Sequence, residues 1–84
     1  MSAPKLELFK YNSCPFCQRV MMAVQKLGID VEMRDIMQNP EDLKFHVEKT
    51  GRRTVPCLYI DGEPMFESSD IISYLEENVD NLKK

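Results

Sequence analysis

The cysteine pair Cys14 and Cys17 lies where a strand pattern gives way to a helix pattern, and this junction constrains the fold more than any other feature. Residues 5–10 (KLELFK) alternate polar and apolar side chains, as in a strand with one buried face. Apolar residues then recur every three or four positions, as on one face of a helix, at Phe16, Val20, Ala23, Val24 and Leu27. Pro15 suits a first helical turn and Gly28 is a stop signal. The sequence therefore predicts a strand, then the cysteines, then a helix.

Strand and helix patterns continue to alternate along the middle of the chain. Residues 30–36 (DVEMRDI) alternate again and predict a second strand. Asn39 followed by Pro40 and two acids predicts the start of a second helix with Asn39 as its cap, and Gly51 ends it. His46 lies in the middle of this helix, where we expect it at the surface or at the edge of the core.

A hairpin and a third helix complete the predicted fold. Residues 57–60 and 63–67 read as two short strands joined by Asp61-Gly62, a dipeptide typical of tight hairpin turns. Ser68 or Ser69 then caps a helix whose apolar face is formed by Ile71, Ile72, Leu75 and Val79. A crossover through a helix makes strands parallel and a hairpin makes them antiparallel. We predict an α/β fold of order β-α-β-α-β-β-α, with a four-stranded mixed sheet and helices on both faces.

Length and charge narrow the class of protein. A chain of 84 residues is long enough for one domain, over residues 1–84. The formal net charge of -3 argues against a surface built to coat nucleic acid. No apolar run approaches the roughly 20 residues of a membrane-spanning helix, and the N-terminus has no signal-peptide pattern. We expect a cytoplasmic monomer without nucleic-acid or membrane partners.

The predicted positions of the two cysteines differ in a way that assigns them different roles. Cys14 precedes the helix, where unpaired amides and the positive end of the helix dipole favour thiolate, the form that attacks disulfides. Cys17 lies one turn later on the same side, within reach for a disulfide, and is more buried and less ionised. We expect Cys14 to be the nucleophile and Cys17 the resolving thiol. Lys10 and Arg19 could add positive potential near Cys14, but we interpret Arg19 as an ordinary surface charge.

Two other uses of the cysteines stay open at this stage. Cys14, Cys17, Cys57 and His46 nominally supply a zinc site, although the last two form no second closely spaced ligand pair. Inert buried thiols are the other alternative, which the strand-to-helix junction disfavours. Three cysteines are too few, and odd in number, for a disulfide-stapled secreted domain. We therefore expect redox chemistry and no metal.

Three segments of the chain resemble the signature segments of the glutaredoxin family. They are residues 9–17 with Cys-Pro-Phe-Cys, residues 53–56 (RTVP) and residues 69–71 (SDI). The resemblance implies a thioredoxin-like fold and a redox-active disulfide that reduces other disulfides with glutathione as co-substrate. It further implies that Pro56 is cis and that Val55 offers its backbone to the cysteinyl part of glutathione, as an added strand does.

The resemblance also implies which residues bind glutathione. Ser69 and Asp70 would hold its γ-glutamyl end, because helix amides and a hydroxyl suit the carboxylate while Asp70 meets the ammonium. Basic residues before the proline, with Lys10, are placed for the glycine carboxylate. The complete predicted set is Lys10, Tyr11, Phe16, Arg52, Arg53, Thr54, Val55, Pro56, Glu67, Ser68, Ser69 and Asp70.

The sequence departs from the glutaredoxin pattern at three places. Tyr11 stands where many glutaredoxins have a lysine, and Glu67-Ser68 stand where a Gly-Gly pair is usual. Glu-Ser at this place resembles the N-terminal domain of glutathione transferases, where it binds the γ-glutamyl group. Cys57 follows the proline directly, either as a buried strand thiol or as a site of regulatory disulfide formation or glutathionylation.

Three hypotheses for the function follow. The first is an enzyme of electron transport and cell redox homeostasis, a glutaredoxin that reduces disulfide-containing or glutathionylated proteins through Cys14. The second is a glutathione-binding module like a transferase N-terminal domain, against which the paired cysteines argue. The third is an iron–sulfur cluster carrier that uses Cys14 and glutathione, which Pro15 disfavours by the same resemblance.

Overall fold

A four-stranded sheet lies at the centre of the structure, a computed structural model that describes residues 4–82. The elements in chain order are β1 Leu6–Lys10, α1 Pro15–Leu27, β2 Glu32–Asp35, α2 Pro40–Thr50, β3 Cys57–Ile60, β4 Glu63–Met65, α3 Ser68–Glu77 and α4 Val79–Leu82. The strand order is β2-β1-β3-β4, with β1 and β2 parallel and the other pairs antiparallel. The predicted α/β class and mixed sheet are confirmed.

Helices α1 and α3 cover one face of the sheet. Val20 and Val24 of α1 are buried against Ile71 and Leu75 of α3, together with apolar side chains of β1 and β3. Burying a side chain such as Leu75 completely stabilises the fold by about 1.5–3 kcal/mol. The predicted apolar face of α1 is wrong at one position, because the side chain of Phe16 is 56% exposed in the first turn.

Helix α2 covers the opposite face. Phe9 and Tyr59 of the sheet form a second buried cluster there, with Ile36 and Cys57, and Leu43 of α2 packs against it. The prediction of helices on both faces is therefore confirmed. The sequence-based placement of His46 at the surface or core edge is wrong, because its side chain is completely buried between α2 and the sheet.

The hairpin between β3 and β4 is formed as its sequence predicts. Asp61 and Gly62 both have positive φ, 50° and 89°. A two-residue turn that matches the twist of its strands needs this geometry at both positions, which explains the Asp-Gly dipeptide. The second strand of the hairpin is shorter than predicted and ends at Met65.

Two other element boundaries differ from the prediction. Strand β2 covers Glu32–Asp35 instead of residues 30–36, because the Asp35 carboxylate accepts the backbone N–H groups of Met37 and Gln38 and turns the chain. The last predicted helix is divided after Glu77, so that Val79 belongs to α4. Asn78 ends α3 by donating both its side-chain amide and its backbone N–H to the carbonyl of Tyr74.

The start of α3 also differs from the prediction. Neither Ser68 nor Ser69 is its cap, since the N-cap residue is Glu67, with φ 71° and no capping hydrogen bond from its side chain. A non-glycine residue at positive φ is strained by roughly 1–3 kcal/mol. Among residues 4–82, no helix is long and apolar enough to cross a membrane.

Candidate active site

Cys14 is the N-cap residue of α1. Its Sγ accepts a hydrogen bond from the backbone N–H of Cys17 at 3.4 Å. The local chain holds it there, because its own N–H donates to the Tyr11 carbonyl at 3.2 Å and its carbonyl accepts from Gln18 N–H at 2.9 Å. The first turn of α1 contains no acidic residue. The amides that face Sγ are therefore not neutralised by a carboxylate, and such a position suits an anionic sulfur.

Cys14 is itself buried, at 5% exposed, and Cys17, one turn later, is enclosed still further. Its side chain is completely buried, and burial raises the pKa of its thiol to about 12 against the effect of a backbone hydrogen bond from Tyr11. The neighbouring Cys14 raises this pKa further, while Lys10 lowers it. Cys17 is thus a neutral thiol at neutral pH, as expected for the less ionised member of the pair. All the cysteines are free thiols in this structure.

A cleft of about 320 Å³ lies beside the first turn of α1. The residues that line it all belong to the predicted glutathione-binding set: Phe16, Thr54, Val55, Pro56, Glu67 and Ser68. The Val55–Pro56 peptide bond is cis, as the resemblance implies. Clefts of about 380 and 420 Å³ also occur, along β2 and α2 and near the start of β1, but none of the residues that line them belongs to the predicted set.

Lys10, predicted as a donor to glutathione, is instead held inside the protein. Its side chain is nearly buried, with Nζ 2.7 Å from Asn12 Oδ1 and 3.4 Å from Asp35 Oδ2. Burial works against ionisation of Asp35, but the backbone N–H groups of Met37 and Gln38 and the Lys10 ammonium together hold the pKa of that carboxyl below its ordinary value. The Lys10 charge is therefore used to fix the segment between β1 and α1.

The other predicted residues do not line the cleft. Tyr11 is half-buried against the cluster that contains Phe9 and Cys57. Four residues are exposed to solvent, namely Arg52, Arg53, Ser69 and Asp70. The guanidinium of Arg52 lies 5.0 Å from the ring centre of Phe66, which directs this cation toward the segment that leads to Glu67.

His46 contacts the Thr54 segment, which was not expected from the sequence. The imidazole lies 2.7 Å from the Thr54 carbonyl oxygen through Nε2 and 2.8 Å from the Tyr59 hydroxyl through Nδ1. The helical period contained a signal, because His46 follows Leu43 by three positions and so falls on the inward face of α2. Both ring nitrogens are engaged, and no group of three metal-ligating side chains occurs in the part of the chain that the structure describes.

The third cysteine, Cys57, is a free and buried thiol. Its side chain is completely buried in β3, and burial raises its pKa to about 12 against the effect of a backbone hydrogen bond with Met65. Of the alternatives for this residue, the structure shows a buried strand thiol.

Comparison with known proteins adds two kinds of relative. Residues 8–82 match the family described as the N-terminal domain of glutathione S-transferase. Glutaredoxin 3 from Escherichia coli strain K12 is 24% identical over 66 residues, which cover 79% of this chain and 80% of that protein.

Solved structures of both kinds share the fold. An epsilon-class glutathione S-transferase from the housefly Musca domestica superimposes with a TM-score of 0.76 at 22% identity, covering 89% of this chain and 35% of the other. Reduced glutaredoxin C1 from Populus tremula x tremuloides gives a TM-score of 0.70 at 19% identity, covering 88% of this chain and 66% of the other. The chain thus spans about a third of the length of the transferase, and the fold is thioredoxin-like.

Proposed function

The chain belongs to the family of glutathione S-transferase N-terminal domains, and on that premise we propose that it is a glutathione-dependent thiol–disulfide oxidoreductase of the glutaredoxin type, with Cys14 as its nucleophile. Its similarity to a glutaredoxin and its family both support a glutathione-related function in a thioredoxin-like fold. A single domain over residues 1–84, a monomeric state and a cytoplasmic location stay predictions.

The observation that carries this proposal is the contrast between two neighbouring thiols. Cys14 Sγ is the acceptor at an N-cap with no carboxylate in the helical turn that follows. Cys17, one turn later, is kept neutral by burial, with a pKa of about 12. A transferase-like module that only binds glutathione has no use for a second thiol behind the first, whereas a disulfide reductase can use one to resolve a mixed disulfide.

The reaction begins when the Cys14 thiolate attacks the glutathione sulfur of a mixed disulfide. A bond forms between Cys14 and glutathione, the original S–S bond breaks, and the target leaves as a thiolate that takes up a proton. A second glutathione, as thiolate, then attacks the sulfur of the bound glutathione. This step releases oxidised glutathione and returns Cys14 to its thiolate, so electrons and protons balance.

Cys17 provides a second route for substrates with two thiols. After losing its proton, it attacks the Cys14 sulfur of the mixed disulfide, closes the Cys14–Cys17 disulfide and releases the reduced substrate. Forming the mixed disulfide removes the charge of Cys14, which is one cause of the raised pKa of Cys17, but burial remains. We therefore expect glutathione, rather than Cys17, to resolve most mixed disulfides.

The cleft would hold glutathione along the segments that line it. Val55 would pair its backbone with the cysteinyl part, and the start of α3 at Ser68, Ser69 and Asp70 would hold the γ-glutamyl end. The absence of a side-chain cap on α3 supports this assignment, because its first amides are not satisfied by the N-cap side chain. Arg52 and Arg53 would meet the glycine carboxylate, whereas the internal ion pair of Lys10 disfavours that role for it.

A glutathione-binding module of the transferase type is the second candidate. The family match and the presence of Glu67 and Ser68 in the cleft favour it. The two candidates differ in whether the bound glutathione undergoes disulfide exchange.

Turnover of a β-hydroxyethyl mixed disulfide with glutathione tests the proposal. We expect the native protein and Cys17→Ser to be active and Cys14→Ser to lose activity to background, because only the Cys14 thiolate is placed to attack. Cys57→Ala is the control, since that thiol is completely buried and is not among the residues that line the cleft. If the native protein binds glutathione without turnover, the binding module replaces the enzyme. Visible absorbance with stoichiometric iron and sulfide after anaerobic purification would instead favour a cluster carrier.

A further inference from the structure

A buried histidine is bonded to the segment that precedes the cis proline. His46 Nε2 lies 2.7 Å from the carbonyl oxygen of Thr54, and its Nδ1 lies 2.8 Å from the hydroxyl of Tyr59. A carbonyl oxygen can only accept, so Nε2 must carry a hydrogen and donate it. In the neutral ring Nδ1 then accepts from the Tyr59 hydroxyl. One imidazole thus joins β3 to the chain just before Val55.

The hydrogen bond from His46 to the Thr54 carbonyl also fixes the direction of the Val55 N–H. The Thr54 carbonyl and the Val55 N–H belong to one planar unit, and in a trans peptide they point in opposite directions. The Thr54–Val55 peptide is trans, since the cis bond follows Val55. With its oxygen held at His46 in the interior, the Val55 N–H points away from His46, and Thr54 and Val55 both line the cleft.

The imidazole itself has little freedom to turn. Its ring stacks on Phe9 with 5.4 Å between ring centres, and Phe9 also contacts Tyr59 at 4.8 Å. The backbone carbonyl of His46 accepts the Thr50 hydroxyl at 2.8 Å. Burial raises the pKa of Tyr59 to about 12, and the Glu7 carboxylate adds to this effect, so the hydroxyl remains a donor.

We propose that His46 is a positioning residue for glutathione, which it serves by holding the Thr54 carbonyl so that the Val55 N–H is directed to the cysteinyl part of the ligand. The inference rests on the proposed function and deepens it. A histidine that only fills the core would contribute to stability and not to the affinity of the cleft.

Two substitutions at His46 separate these roles. In His46→Gln the side-chain amide nitrogen reaches nearly the same place as Nε2, so donation to Thr54 is retained. In His46→Asn the shorter amide cannot reach that carbonyl. Phe45→Leu is the matched control, because it removes ring contacts with Phe9 and Tyr59 from the same turn of α2 and leaves the Thr54 bond intact.

The measurements are the KM for glutathione, kcat and the rate of Cys14 alkylation by iodoacetamide. We expect His46→Asn to raise KM by about tenfold and His46→Gln by less than about threefold, as for loss and retention of one hydrogen bond. Phe45→Leu should leave KM unchanged, and alkylation should stay within about twofold of native in all three. The Val55 amide resonance should move on addition of glutathione in the native protein and respond less in His46→Asn.

The outcomes distinguish this inference from the proposed function. A folded His46→Asn protein with native KM overturns the inference alone, as does a KM that rises equally in Phe45→Leu. A native protein that neither binds nor turns over glutathione overturns the proposed function and the inference with it. If His46→Asn does not fold, Tyr59→Phe takes its place, because loss of the hydroxyl removes one of the two hydrogen bonds that orient the imidazole. A rise in KM of about threefold supports the inference and an unchanged KM overturns it.

Discussion

Helices α1 and α2 begin alike and differ in what their first turns contain. Each has a proline at its first position, Pro15 or Pro40, and each ends at a glycine in the left-handed conformation. At α1 the cap accepts a hydrogen bond through the Cys14 sulfur and no acid follows. At α2 the side chain of Asn39 makes no capping bond, and two acids occupy the first turn.

The difference separates a structural helix start from one available to chemistry. The acids of α2, Glu41 and Asp42, lie where a carboxylate offsets the positive end of the helix dipole, which is worth about 0.3–1 kcal/mol each. The start of α1 forgoes this stabilisation and uses sulfur, a weak acceptor, where Ser or Asp would cap more strongly. Because no acid offsets the positive end of the α1 dipole, that end can stabilise a negative charge on Cys14.

The largest expected effect is that of pH on the free energy of unfolding. Alkaline pH should act through the start of α1, and acid pH through the segment that leads into α2. The pKa of Cys17 is raised by burial from 9.0 to about 12. Above pH 9 its thiol ionises in the unfolded chain but not in the folded one, so the free energy of unfolding falls as pH rises toward 12. We expect a loss of several kcal/mol across this range in urea unfolding, and Cys17→Ala should make the decline shallower. Cys57→Ala, in β3, should make the alkaline decline shallower by a similar amount, because burial raises the pKa of that thiol to about 12 as well.

On the acid side, the segment leading into α2 should be affected instead. The pKa of Asp35 lies below the ordinary 3.8, so its contribution to stability is present above that value and is lost as pH falls through the lower folded pKa. Asp35→Asn should remove this part of the acid dependence and leave the alkaline decline unchanged. An alkaline decline that persists fully in Cys17→Ala would contradict the assignment to α1.

A charge introduced near the start of α1 should have a moderate effect. Gln18 is exposed in the first turns of α1 and donates to the Asn12 carbonyl at 2.8 Å. Gln18→Glu should slow the alkylation of Cys14 by about two- to fivefold, because the acid neutralises the positive end of the helix. Gln18→Lys loses the same hydrogen bond and should not slow it. Equal slowing in both variants would assign the effect to the lost bond.

The smallest effect is expected at the start of α2. Since the side chain of Asn39 makes no capping hydrogen bond, Asn39→Ala should cost less than about 0.5 kcal/mol in urea unfolding, against about 1 kcal/mol for a typical cap. A larger loss would mean that the two helix starts are more alike than their geometry indicates.

The elements that the sequence predicts well are those with local causes. Pro15 and Gly28 mark the bounds of α1 by their own backbone preferences, and Asp61-Gly62 marks the hairpin in the same way. The cysteine pair belongs to this group, because its place at a strand-to-helix junction depends only on neighbouring residues. The fold class and the place of the cysteine pair could therefore be predicted without contacts between distant segments.

The features that were missed or misplaced depend on distant partners. Lys10 reads as a free cation until Asp35, 25 positions away, is placed beside it. The helical period places His46 on the inward face of α2, but its partners, the Tyr59 hydroxyl and the Thr54 carbonyl, cannot be read from that period. Glu67 has positive φ, although glutamate is not a residue type that indicates this conformation in a sequence. Such contacts follow from tertiary packing, which periodicity does not encode.

The cleft has walls from segments that are far apart in the chain, while the two thiols lie within four consecutive residues. Phe16 belongs to the cysteine turn, whereas Val55 and Ser68 come from the cis-proline and α3 segments. The thiols and the cleft are thus encoded in separate parts of the sequence. Under the proposed function, substitutions in residues 54–56 or 67–68 would change which disulfides fit the cleft while the cysteine turn stays unaltered.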